Sequence, residues 1–166
     1  MEAPDYIELV EKWNQLLADA VTKWLQPERM LFALVNFKYL NIPVNTSPPI
    51  SPSNGQVYVY DREKTKNFKL DGVNWTKRKN ENRIQETYET FDIGDLQLHR
   101  VNSRSADDSN FQKRMFRLTK CNSNLVIVHY RYCTPSVTEM DENTAEGGHK
   151  AKSSKFVSIF IFITSL

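Results

Sequence analysis

The sequence predicts an α+β domain: two N-terminal helices packed on a mainly antiparallel β-sheet of about five to six strands, one short crossing helix and a disordered C-terminal tail. Three observations predict it. Up to residue 40 the apolar side chains recur at helical steps, from 56 to 130 they alternate or run together in β-branched and aromatic stretches, and from 134 to 155 they nearly vanish.

Leu9, Trp13, Leu16, Leu17, Ala20 and Trp24 are spaced by three and four, which places them on one core-facing stripe of a helix over 6–24. Pro27-Glu28 starts a second helix, because proline lacks only a donor that the first turn would not use and a carboxylate suits the positive helix end. It runs to about Tyr39, burying Leu31, Leu34, Val35 and Tyr39, and stops before Pro43. The Pro-, Ser- and Asn-rich stretch 45–55 is a surface connection. Residues 56–60 form a strand, 61–66 a polar turn and 67–70 a second strand, together a hairpin. Asp71-Gly72 turns tightly into a third strand over 74–79. Ile84, Tyr88 and Phe91 suggest the crossing helix, stopped by Gly94. Strands follow over 95–101, 110–120 and 125–130, the last most buried, with a solvent loop over 101–110. The expected division is an N-terminal helix at 1–22, the domain proper at 23–133, a disordered polar linker at 134–155 and an apolar tail at 156–166. That tail is β-prone, uncharged and too short to span a bilayer, for which about 20 residues are needed.

Overall charge is not informative: 22 basic against 20 acidic side chains give a net +2, so a nucleic-acid signal must be local. The acidic N-terminus lacks the pattern of a secretory leader. Cys121 and Cys133 read as free thiols in a reducing compartment, and a metal site built from them with His99 and His129 lacks the usual ligand spacing. His99, His129 and His149 stand apart, with no nucleophile context and no glycine-rich phosphate loop, so no enzyme, cofactor or metal is expected. His129, inside Val-Ile-Val-His-Tyr, reads as a core residue with its hydrogen bond satisfied.

The local signal lies between 62 and 83, where Arg62, Lys64, Lys66, Lys69, Lys77, Arg78, Lys79 and Arg83 stand against Glu63, Asp71 and Glu81. Such a cluster neutralises phosphates and releases their counterions, and a two-stranded ribbon fits the major groove. Strand alternation over 74–79 would put Trp75, Lys77 and Lys79 on one face and Asn74, Thr76 and Arg78 on the other. By charge alone the cluster reads rather as a solvated sheet face, and Trp75 as a core residue more than a contact.

A further pattern lies in the order of rarer residues. Trp24-Leu25-x-Pro27-Glu28, Asn36, Pro48-Pro49-x-x-Pro52-x-x-Gly55, Asp61-Arg62 and Phe68-Lys69-x-Asp71-Gly72-x-Asn74-Trp75-x-Lys77-x-Lys79 are followed by Glu86, Gly94, His99, Asn110-Phe111-Gln112-x-Arg114 and Ile127-Val128-His129-Tyr130. Over about 23–133 this resembles the CG-1 domain of calmodulin-binding transcription activators. The resemblance implies a nuclear, sequence-specific binder of double-stranded DNA with CGCG-type elements as targets. On this reading Lys77, Arg78 and Lys79, with Arg62, Lys69, Arg83 and Arg114, are candidates for phosphate or guanine contacts, Asn74 is a candidate base reader and Trp75 is a further DNA-binding candidate. The sequence departs from the family pattern at Val73, usually His, and over 100–105, usually an aromatic run. After Cys133 no immunoglobulin-like domain, ankyrin repeat or IQ motif is visible, so calmodulin binding does not carry over and a truncated member is expected. The alternatives are an interaction module that has kept the fold and lost DNA, and a partial gene product.

Overall fold

The structure is a computed structural model that describes residues 5–121 and 123–133. Helix α1 spans Tyr6–Ala20, α2 Pro27–Val35 and the single turn α3 Phe37–Leu40. Five strands follow: β1 Val57–Asp61, β2 Glu86–Ile93, β3 Leu96–Arg104, β4 Phe111–Thr119 and β5 Leu125–Tyr132. They form one wholly antiparallel sheet in the order β1-β5-β4-β3-β2. The linker and apolar tail expected over 134–166 lie outside the described residues.

Each helix begins and ends for local reasons. Asp5 caps α1, its carboxylate accepting from the Ile7 N–H at 2.9 Å. Leu9, Leu16 and Ala20 are buried along α1, whereas Leu17 is exposed and Trp24 lies beyond the helix, so the expected stripe is narrower and shorter than its spacing suggests. The expected second helix is broken at Asn36, which leaves helical geometry and turns its amide to the Phe32 carbonyl at 2.9 Å. Tyr39, past that break, is exposed. Asn41 ends α3 in the left-handed conformation at φ 48°.

Three expectations fail on the sheet. Residues 67–70 form successive turns, with the Phe68 N–H on the Thr65 carbonyl and the Leu70 N–H on the Asn67 carbonyl, and make no hairpin with β1. β1 pairs instead with β5, whose apolar run buries it as a short polar segment cannot. Over 74–79 there is no regular strand, only isolated bridges from Trp75 to Ser105 and from Lys77 to Ile84. The crossing helix at 82–91 is β2: Tyr88 pairs with Val101 and Phe91 with Leu98, on opposite faces of the sheet. Its helical spacing was accidental, since Thr87, Tyr88, Thr90 and Phe91 favour strands and an edge strand need not alternate strictly. Gly94, at φ 59°, does not end a helix but opens the two-residue turn between Ile93 and Leu96. β3 also runs three residues beyond its expected end, so the loop begins only after Arg104.

The sheet has two differently covered faces. The helices cover one, where Leu16, Leu25, Met30 and Leu31 pack on Leu98, Phe116 and Ile127. The other carries a second core of Tyr60, Trp75, Val101, Phe111, Met115, Val128 and Tyr130. Gly55 ties the helices to the sheet: its N–H donates to the Tyr130 carbonyl at 2.8 Å, and at φ 81° a Cβ would stand 2.5 Å from the Val21 Cα.

His129 is fully buried on the helix side, with its ring edge-on to Trp24. Its Nε2 lies 2.9 Å from the Ala20 carbonyl, which can only accept, so the ring is the Nε2–H tautomer. Burial drives its pKa from 6.5 down to about 4, aided by Arg131 and Arg114 and opposed by the Ala20 bond. Between these values the unfolded chain binds a proton that the folded chain does not. Stability is therefore intact above pH 6.5 and falls as the pH drops toward 4, by up to about 3 kcal/mol. Glu86 and Glu89 lose their contributions only below their ordinary value of 4.5, so the upper part of the window isolates imidazoles. Urea midpoints measured from pH 7 to 4 test this: His129→Gln, which can still donate to Ala20, flattens the dependence, and an unaltered dependence in that variant would assign the loss to other groups.

Candidate nucleic-acid interface

Residues 62–85 form an arch over the sheet face that the helices leave open. It rises from β1, where the Arg62 N–H donates to the Asn124 carbonyl at 2.9 Å and the buried Thr65 hydroxyl donates to the Asn45 carbonyl at 3.1 Å. Its midpoint is pinned by Asp71. This carboxylate, 1% exposed, accepts from the Trp75 indole N–H and the Val73 N–H on Oδ1, and from the Lys113 ammonium and the Tyr130 hydroxyl on Oδ2. Three of these bonds measure 2.8 Å; the Val73 bond is 3.3 Å. Lys113 is equally buried, with Nζ 4.3 Å from the centroid of the Trp75 ring. Burial pulls the Lys113 ammonium below the usual lysine range and Asp71 opposes that pull, while burial pushes the Tyr130 hydroxyl up.

Trp75 is accordingly a core residue, stacked on Phe111 and Tyr130. Backbone bonds on either side of it, from the Thr76 N–H to the Arg104 carbonyl at 2.9 Å and from the Ala106 N–H to the Asn74 carbonyl at 2.7 Å, fasten the arch to the end of β3. Beyond Thr76 the chain turns back on itself. The Arg78 N–H donates to the Arg83 carbonyl at 2.9 Å and the Gln85 N–H to the Thr76 carbonyl at 2.7 Å, with Asn80 at φ 65° in the bend. Lys77, Arg78, Lys79 and Arg83 are all exposed on this short ribbon, so the expected alternation does not extend past Trp75.

The candidate residues thus separate into groups. Lys77, Arg78, Lys79 and Arg83 are brought together, and of these only Lys77 makes a side-chain hydrogen bond among the described residues, donating to the Asn82 side-chain Oδ1 at 2.8 Å. Arg62 and Lys69 line a recess of about 380 Å³ between the arch and the sheet. Lys69 pairs there with Glu86 at 3.1 Å. Burial alone would raise the Glu86 carboxyl, but Tyr88 and Lys69 outweigh it and hold the group below the ordinary range. Asn74 is exposed and donates to Asp107 at 3.0 Å. Arg114 does not join them: it lies on the helix side, its guanidinium 4.1 Å from the Trp24 ring centroid. Sequence reasoning missed Arg117, two residues along β4 from Met115 on the open face, which lines the recess and reaches the His99 Nδ1 at 3.3 Å. Its signal was the parity of β4, readable once Met115 is placed inward. Among the described residues no cluster of His, Cys, Asp and Glu is arranged to hold a metal, and no helix is long and apolar enough to cross a membrane.

Comparison with known proteins gives a consistent result. The CG-1 domain family matches residues 19–133. Calmodulin-binding transcription activator 3 of Arabidopsis thaliana is 35% identical over 119 residues, which is 70% of this chain and 11% of that protein. Calmodulin-binding transcription activator CBT of Oryza sativa subsp. japonica is 34% identical over 121 residues, 72% of this chain and 13% of that protein. Calmodulin-binding transcription activator 2 of Homo sapiens is 27% identical over 116 residues, 69% of this chain and 10% of that protein. The chain therefore spans only a small fraction of the length of these relatives. No solved structure matches it.

The Asp71–Lys113 pair should behave as a buried pair does. Lys113→Met leaves a carboxylate sealed from water without its counter-charge and should cost about 3–5 kcal/mol, whereas combining it with Asp71→Asn should recover a large part of that loss. Urea denaturation of both single variants and the double variant measures the coupling. Strictly additive effects would show that the two groups do not depend on each other.

Proposed function

The chain belongs to the CG-1 domain family, and from that premise we propose that it binds double-stranded DNA in transcription regulation, through the ribbon at 77–83 and the arch that carries it. The observation that carries this reading is a set of exposed cations without carboxylate partners, Arg78, Lys79 and Arg83, presented on backbone that the Asp71 cluster fixes to the sheet. Pre-fixed cations meet phosphates without paying loop-ordering entropy, and their exposure keeps them hydrated until counterions are released from the duplex. A narrow two-stranded ribbon is the right shape for a major groove, where Arg or Lys pairs with guanine O6 and N7. A CGCG-type target offers guanines on both strands. A nuclear location follows from the same reading.

The departure from the family pattern over 100–105 supports retention of this face. Arg100 is engaged by Glu89 at 2.6 Å, Asn102 by Thr87 and Glu89, and Val101, Ser103 and Ser105 are buried, so that stretch serves the sheet and its packing. Val73, the other departure, packs against the second core.

Titration of the chain against a CGCG duplex and a scrambled one, across several salt concentrations, tests the proposal. The CGCG duplex should bind more tightly, with log affinity falling linearly in log salt, and Lys77→Ala with Lys79→Ala should reduce the slope by about two. Equal affinity for both duplexes would remove the sequence preference. No salt-dependent binding at all would favour a module that has kept the fold for protein contacts.

A further inference from the structure

The recess between arch and sheet has more in it than a phosphate contact needs. Its floor is apolar, formed by Val101, Met115 and Val126 from three adjacent strands, and Phe68 and Tyr88 add aromatic surface. Its rim is cationic: Arg62 after β1, Lys69 on the arch and Arg117 on β4. A second recess of about 280 Å³, also lined by Lys69, Glu86 and Tyr88, continues toward Arg78 and Arg83.

These cations differ in pairing from several on the helix side. Lys12 on α1 is held by Glu8, Lys23 between the helices and Arg29 on α2 are both held by Asp19, and Glu89 holds Arg100 at the helix-side edge. Around the recesses, Arg62, Arg78 and Arg83 form no side-chain hydrogen bond or ion pair among the described residues, and Arg117 forms a hydrogen bond only with the His99 ring. Glu86 is the one carboxylate in either lining, and both its oxygens are already engaged, by Lys69 and by the Tyr88 hydroxyl. Arg62 is half-buried, and its Nε is shut off from solvent without an acceptor. A guanidinium in that condition is costly unless an anion reaches its remaining donors. Phosphate alone would leave the apolar floor empty, and an apolar molecule alone would leave the rim uncompensated. The volume, about 380 Å³, is within the range of small-ligand sites, roughly 300–1,000 Å³.

We propose that this recess binds a nucleotide unit, its phosphate on Arg62 and Arg117 and its base over the Val101–Met115–Val126 floor beside Phe68 and Tyr88. The unit has two possible sources: a free nucleotide, or a nucleotide unstacked from a polynucleotide, since a base inside a duplex stack cannot enter. The site deepens the DNA-binding reading where the second source applies and stands without it where the first does. Arg117 is thereby a binding residue, one strand away from the basic segment.

The test is calorimetric titration of the whole chain at low salt with the four nucleoside 5′-monophosphates, the corresponding nucleosides and inorganic phosphate. At least one monophosphate should bind tenfold or more tightly than both its nucleoside and inorganic phosphate. Arg117→Gln and, separately, Arg62→Gln should each remove at least that tenfold, with thermal midpoints confirming that the variants fold. To separate the sources, a CGCG duplex with a one-nucleotide overhang and the same duplex blunt-ended are used to compete the monophosphate off. Displacement by the overhang alone identifies the unstacked nucleotide, and displacement by neither identifies the free one. Lys77→Ala with Lys79→Ala, which should weaken the blunt duplex, should leave monophosphate binding unchanged, so loss of the DNA reading and loss of this one are seen independently. The proposal is overturned if inorganic phosphate binds as tightly as every monophosphate, if none binds, or if both arginine variants bind as the parent does.

Discussion

A carboxylate taken out of water has to be met by donors, and Asp71 is met by four: two from its own turn, the Val73 N–H and the Trp75 indole, and two from the sheet, Lys113 on β4 and Tyr130 on β5. These four donors fix three separate things. The turn at Asp71-Gly72 is closed, Trp75 is oriented so that its ring stacks on Phe111 and Tyr130, and two central strands are joined to a segment that has almost no ladder of its own. Burying an ion pair is rarely stabilising against an apolar alternative, so its value here is better read as specificity of placement. An apolar contact at this point would let the arch slide across the sheet. A carboxylate whose bonds are all directional does not.

With the arch fixed, the two faces of the sheet divide the labour of the molecule. The helix side is a conventional core, and Lys12, Lys23, Arg29 and Arg100 there are paired with nearby carboxylates. The open side has few such carboxylates, and the cations of the recess and ribbon point to solvent or into the recess. Net charge conceals this. A total of +2 over 166 residues does not show that, among the described residues, unpaired cations gather on the ribbon and around the recess, where an incoming polyanion would meet them.

How much of this was readable in the sequence depended on what kind of physics fixed each element. α1, α2, β1, β3, β4 and β5 follow from periodicity and composition, because each buries an apolar face and the pattern is the burial. That His129 is a buried core residue was equally legible, but its satisfaction is only half met: Nε2 donates to the Ala20 carbonyl and Nδ1 is buried without a partner among the described residues. The segments 67–70, 74–79 and 82–91 were not legible. The turns at 67–70 are closed by bonds three residues apart that a polar strand pattern does not reveal, while the later bridges and edge strand depend on distant residues, Thr76 on Arg104 and Tyr88 opposite Val101, that no local pattern encodes. The same blindness affected the candidate site. The cluster was found as a run of charge, but which of its members faced outward was decided by where Trp75 had to go.

Arg114 and Arg117 make the point within one strand. Both are arginines on β4, three residues apart, and only the first belongs to the run of rarer residues that marks the family. An odd separation on a strand puts two side chains on opposite faces. Lys113 and Met115 face the arch, so Arg117 does as well, beside His99 and over the recess, whereas Arg114 shares its face with Phe116 and Leu118 and is covered by Trp24. A family motif reports which residues matter to a fold as well as to a ligand, and here the register of β4 against β3 and β5 separates the two. The arginine inside the motif is laid over the Trp24 ring on the helix side, and the one outside it reaches the His99 ring and lines the recess.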